Sequence, residues 1–321
     1  MGDHRPVCSV SHGLSRLLTA VLPVCMLLAL AACAVPRPTI KIALVAPFEG
    51  VYREVGYDAF PAMRLALREQ IAAGGIGAYQ VDFVAYNDNA DAAYAEQVAH
   101  NVTIDPAVVA VIGHFRADTT LAALHVYTES QMAILAPDVA ADRLPADPLV
   151  FRMGPPMGAM NQALGRCPGG ARPIVSVWTQ PYVGSIDSGL LARLTDFQSP
   201  AAAHLLSASA AGLCFATATP ALADLPAGGQ ALSGFAAISG GAAPQPRSIA
   251  AYDATEVLLQ AIRADIAAHG RPSRAGVADA LRHIRYQGLL GTVVFDGNNE
   301  WADAPVWVYR FDRAGHIELV P

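Results

Sequence analysis

Positive charge is scarce in this chain. Lys41 is its only lysine in 321 residues, charged residues of all kinds make up 15%, and the formal net charge is −6. Such a balance leaves no basic face with which to hold a nucleic-acid backbone. A lone lysine in an opening strand-like run also argues against Schiff-base chemistry. Catalytic spacings are missing as well: there is no G-x-S-x-G elbow, no phosphate-binding loop and no H-E-x-x-H. The GGIG at 74–77 is not followed by the spacing a dinucleotide loop requires. The nine histidines are scattered without zinc-site spacing, and His114 reads as a structural residue. No enzymatic role and no cofactor are expected.

Long apolar runs are equally few. One stretch, Leu17–Leu30, is broken only by Thr19 and Pro23, follows Arg5 and Arg16, and ends in Leu30-Ala31-Ala32-Cys33. It is too short for a membrane span, which takes about 20 apolar residues. A basic start, a short apolar core and small residues at the cut describe a secretory signal. The final four residues resemble the lipobox of bacterial lipoproteins, which marks Cys33 for lipidation after removal of residues 1–32. Of the five cysteines, Cys8 and Cys25 would leave with the signal. Cys167 and Cys214 remain in a compartment that permits disulfides, either paired or as buried free thiols.

What the mature chain does have is alternation. IKIALVAP (40–47), VDFVAY (81–86), AVVAVI (107–112) and MAIL (132–135) read as strands. Segments 57–73, 91–102 and 118–130 read as helices between them. In the first helix Ala59, Met63, Leu67 and Ile71 recur at i+4, and Gly74 and Gly75 mark its end. Strand–helix alternation implies right-handed crossovers and a parallel sheet, so the fold class is α/β. Beyond residue 152 the pattern weakens. PIVSVW (173–178) is a strand and AAGLCFATATP (210–220) holds one. A helix over 249–270 ends at glycine, and VADALRHI (277–284), GTVVFD (291–296) and VWVYRF (306–311) follow.

These segments in this order resemble the type I periplasmic binding proteins, in particular the leucine/isoleucine/valine-binding branch. The resemblance rests on IKIALVAPFEGVYREVG (40–56), VDFVAYNDNAD (81–91), VVAVIGHFRADTT with MAILAP (108–137), AAYDATEVLLQAI (250–262) and LLGTVVFDGNNE (289–300). It implies two lobes of parallel sheet flanked by helices, joined by three crossovers, with a small polar ligand closed between them. The expected organisation is a signal peptide at 1–32 and a tether at 33–39. Lobe I comprises 40–152 and 247–300, and a reduced lobe II comprises 153–246 and 301–321. Lobe II is expected to be several dozen residues shorter than the family norm.

The resemblance also marks candidate ligand-binding positions. In amino-acid-binding relatives the loop matching GHFRADTT gives hydroxyls and backbone amides to a ligand carboxylate; here the serine position falls on Ala117 and its neighbour on Asp118. A second loop reads Asp138-Val139-Ala140 where relatives carry a threonine. Val55 stands where relatives often place an aromatic. Glu49 and Tyr52 precede it, and Phe115, Arg116 and Thr119 complete the first loop. Arg116 can replace the missing hydroxyls by gripping a carboxylate with two parallel hydrogen bonds, or it can pair with Asp118. Asp118 is expected at the N-cap of its helix, and Asp138 either faces a ligand ammonium or lies in solvent. In lobe II, Trp178 and Tyr182 are the candidates for the opposite wall.

A lipid-anchored member of this branch is expected to deliver an amino acid or similar solute to the permease and ATPase of an ABC importer. The alternative is a sensor or interaction lipoprotein on a degenerate scaffold.

Overall fold

The computed structural model describes residue 2 and residues 37–137, 144–169, 172–175, 213–225, 230, 232–313 and 316–321. The signal segment, Cys33, Asp138, Val139, Ala140, Trp178 and Tyr182 lie outside the described residues. Residues Thr39–Pro321 form a compact unit.

The chain opens with strand β1 (Thr39–Ala46), whose burial is nearly continuous. Helix α1 (Glu54–Ala72), β2 (Gln80–Asn87), α2 (Ala92–Ile104), β3 (Val108–Gly113), α3 (Ala117–Glu129), β4 (Ala133–Ala136) and β5 (Val150–Arg152) follow. The five strands pair in the order β2-β1-β3-β4-β5, parallel throughout. All six residues of β3 and all four of β4 are buried, as apolar strands covered on both faces must be. The i+4 stripe of α1 behaves differently from a straight face: Ala59 and Met63 are fully buried, whereas Ile71 is 58% exposed. A helix turns 3.6 residues at a time, so three steps of four rotate the stripe by about 120° and carry Ile71 off the core.

A short helix, α4 (Met157–Ala163), leads to β6 (Arg172–Val175) and β7 (Leu213–Thr217). The chain then returns through α5 (Phe235–Ile238), α6 (Pro246–His269) and α7 (Arg274–Arg282), and through the small hairpin β8 (Tyr286–Gln287) and β9 (Thr292–Val293). It ends in β10 (Trp307–Phe311) and β11 (Ile317–Val320). The second sheet, ordered β11-β10-β7-β6, is parallel only between β6 and β7. Its other pairs are antiparallel because β10 enters from the opposite side and turns back directly into β11. The sheet therefore departs from the all-parallel expectation. It has its own small core, in which Met160, Cys214, Ala216, Val308 and Val320 are buried together. Cys167 and Cys214 are joined by a disulfide, their Cα atoms 6.1 Å apart.

Leu225, Leu232 and Phe235 join the core of the first sheet rather than the second. Among the described residues the chain thus passes from one core to the other three times: after β5, after β7 and after the β8–β9 hairpin.

Helix α6 is buried on nearly every side between Arg247 and Leu259, and it carries polar as well as apolar side chains inward. Its Ile249, Val257, Leu258, Leu259 and Ile262 are fully enclosed. Gly270 closes it in the left-handed conformation, with φ 75°, donating its N–H to the Ile266 carbonyl at 2.7 Å. Several of its polar groups are buried with partners. Asp253 accepts the N–H groups of Leu289 and Leu290 at 2.9 and 2.8 Å, and Arg247 meets Asp58 at 2.8 Å. At the amino end of the first sheet, Arg274 donates to the carbonyls of Val108, Thr103 and Asp105 at 3.0, 2.9 and 3.0 Å. It also reaches the Ser130 carbonyl at the end of α3. One guanidinium thus joins a strand start to two helix ends, where orphan carbonyls need donors.

Candidate functional site

In the first sheet the strand order reverses between β1 and β3. Open α/β sheets bind ligands at such a switch point, in the crevice beyond the carboxyl ends of the strands. Two loops flank it here: Pro47–Arg53 after β1 and His114–Arg116 after β3. The second is fixed at its root by Gly113. Its φ is +125°, and a Cβ there would lie 2.1 Å from the Val45 carbonyl oxygen, so only glycine fits between the two strands.

The next residue, His114, is fully buried. Its Nδ1 lies 2.7 Å from Asp88 Oδ2 and its Nε2 lies 3.1 Å from the Tyr127 hydroxyl. A proton on Nδ1 satisfies all three groups, with the imidazole donating to Asp88 and accepting from Tyr127. Burial, reinforced by the nearby Asp88, pushes the Tyr127 hydroxyl pKa upward and keeps it protonated. His114 is therefore the structural residue expected from the sequence. Asp88 was not singled out there, although its position one residue beyond β2 at the same sheet edge was a usable signal.

Arg116 lies against both loops. Its guanidinium stands 4.7 Å from the centre of the Tyr52 ring, close enough for a cation–π contact. It also makes two parallel hydrogen bonds to Asp118, Nε to Oδ1 at 2.9 Å and a terminal nitrogen to Oδ2 at 2.6 Å. The Arg116 side chain is 11% exposed and that of Asp118 40%. Burial works to lower the Arg116 pKa, but the bonds and the charge of Asp118 outweigh it, so the net shift is upward. The internal pairing is thus present, with an acid of the chain itself in the fork that a ligand carboxylate would take.

Asp118 is not the N-cap. Helix α3 begins at Ala117 with Arg116 at the cap position and no side-chain cap bond; Asp118 instead accepts the Thr119 N–H at 3.0 Å. The threonine hydroxyls turn inward. Thr119 donates to the Arg116 carbonyl at 3.1 Å and Thr120 donates to it at 2.7 Å. Phe115 is fully buried in the first core, Val55 is 2% exposed in the same core, and Ala117 is buried. These three support the rim from beneath. Glu49 is exposed at the cap of the short turn Gly50–Tyr52 and makes no side-chain cap bond. Among the described candidates, the structure brings Tyr52, Arg116 and Asp118 together at the surface of the switch point.

Comparison with known proteins gives a consistent picture. A family model described as periplasmic binding protein matches residues 39–175 and 188–316. The leucine-, isoleucine-, valine-, threonine- and alanine-binding protein of Pseudomonas aeruginosa is 29% identical over 141 residues, 43% of this chain and 36% of that relative. The sequence match thus spans about a third of the curated relative's length. A branched-chain amino acid transporter substrate-binding protein from Streptococcus pneumoniae, solved with isoleucine, superposes with a TM-score of 0.67 at 17% identity. That superposition covers 87% of this chain and 98% of the other. A solute-binding protein from R. palustris, solved with benzoate, gives a TM-score of 0.67 at 15% identity over 88% of this chain and 95% of the other.

Proposed function

Because this chain belongs to the periplasmic binding protein family, we propose that it is an extracytoplasmic solute-binding protein that delivers a small carboxylate-bearing solute, such as an amino acid, to an ABC importer. The observation that carries this reading is Arg116, a largely buried guanidinium stacked on Tyr52 across the switch point. A planar fork beside an aromatic ring suits a carboxylate with an apolar body. The benzoate complex of one structural neighbour and the isoleucine complex of another support a carboxylate as the common element. On this reading the ligand carboxylate displaces Asp118 from the fork, and the second sheet closes over it through the three crossings. No described helix is long and apolar enough to cross a membrane. Attachment falls to Cys33, through a lipid whose several acyl chains hold the protein at the surface.

A thermal-shift screen across amino acids, amides, ureas and small carboxylates tests the reading. We expect one of the carboxylate classes to stabilise the protein, and Arg116→Ala to remove that stabilisation. Equal stabilisation of both proteins would dismiss the arginine. For the anchor, Cys33→Ser should move the protein from the membrane fraction to the soluble one, and continued membrane retention would contradict it.

A second reading, a sensor that no longer feeds a transporter, is favoured by the Asp118 carboxylate in the fork and by the inward-turned threonine hydroxyls. A neighbouring permease and ATPase gene pair would decide for transport.

A further inference from the structure

Away from the switch point, helices α2 and α3 pack side by side on one face of the first sheet. Val98, Ala99 and Val102 of α2 and Ala123 and Val126 of α3 are buried in one cluster with Val108 and Val111 of β3. That shared core fixes the two helix axes relative to each other. On their outward side three residues converge: Glu96 and His100 of α2, and His125 of α3. Glu96 and His100 are four apart, so they share one helix face. One ligand atom from each of the three lies within 4.8 Å of the other two. His125 Nε2 stands 3.6 Å from Glu96 Oε1, and the imidazoles of His100 and His125 meet edge to face with centres 6.4 Å apart.

We propose that Glu96, His100 and His125 form a binding site for a divalent transition-metal ion of the zinc, nickel and copper class. Metal–nitrogen bonds of about 2.0–2.1 Å in tetrahedral geometry set neighbouring ligand atoms roughly 3.4 Å apart. The Glu96–His125 spacing is already close to that value. His100 closes the remainder by turning about its side-chain bonds, which its exposure allows. Two imidazoles and one carboxylate suit borderline metals and disfavour magnesium and calcium, which take oxygen ligands. The three protein ligands all come from exposed side chains, so water completes the coordination shell. An exposed imidazole–carboxylate pair holds only weakly by itself; a shared cation would join the three side chains through one centre.

Calorimetric titration of the full chain with zinc chloride, in a buffer that does not bind metal, tests the site. The expected result is one ion per chain, with affinity falling at least about tenfold in His100→Ala and again in His125→Ala, since loss of even an outer-shell partner costs that much. His283→Ala, an exposed histidine elsewhere, should leave binding unchanged. No zinc heat in the parent protein would overturn the proposal. So would unchanged affinity in either of the two histidine variants, or equal loss in His283→Ala.

Discussion

His114 shows how a single buried side chain can hold the loop after β3 from within. It fills the space between Asp88 and Tyr127, all three groups buried. Truncation strands a buried carboxyl and a buried hydroxyl, at a cost of roughly 3 kcal/mol. We therefore expect His114→Ala to lower the melting temperature by several degrees, measured by circular dichroism, and to weaken any ligand that Arg116 holds. An unchanged melting temperature would show that the network is dispensable. Little of this was readable beforehand. Sequence located the loop through the apolar run before Gly113 and the helical pattern after it. It offered the Arg116–Asp118 pair as one alternative but could not show that Arg116 also turns toward Tyr52, because that depends on where a residue 64 positions earlier comes to rest.

At the scale of one element, α6 carries acids into an apolar interior. Desolvation pushes Asp253 up to about 6 and Glu256 up to about 7. Gln70 donates to one oxygen of Glu256, while the other, Oε1, has no partner among the described residues. An unfolded glutamate titrates near about 4.3. Between that value and 7 the folded state therefore holds more protons, and stability falls as pH rises. Glu256→Gln removes the charge and keeps a group that can meet Gln70. It should gain about 1–2 kcal/mol near pH 8 and flatten the rise in melting temperature on acidification toward pH 5. A variant that melts lower at pH 8, or keeps the parent's slope, would contradict this account. Elements of this length were legible because their apolar spacing extends over many turns. Strand β5 has three residues and α4 seven, too few for a period to stand out, and β11 interrupts its apolar residues with Glu318.

Across the whole molecule, the strands of both sheets are largely legible in the sequence, β5 and β11 excepted, whereas the pairing of the second sheet is not. Parallel strands covered on both faces advertise themselves as uninterrupted apolar runs. The second sheet mixes directions and assembles strands from the middle and the carboxyl end of the chain, a pairing set by tertiary contacts alone. Its fastening is the disulfide, whose cysteines are 47 positions apart. Closing a loop of that size is worth about 4 kcal/mol in the chain-entropy picture, and measured gains commonly reach 2–4. Reduction, or a Cys167→Ala/Cys214→Ala double substitution, should lower the melting temperature to the same value. Melting that ignores reductant would mean the bond contributes nothing.

Arg274 sits at the far end of the first sheet from Tyr52, Arg116 and Asp118, riveting one strand and two helices through their main-chain oxygens. Main-chain oxygens persist under any substitution, so this foundation is indifferent to what the opposite shore is made of. Descendants of this gene can accordingly rewrite a handful of rim positions with the architecture beneath left undisturbed.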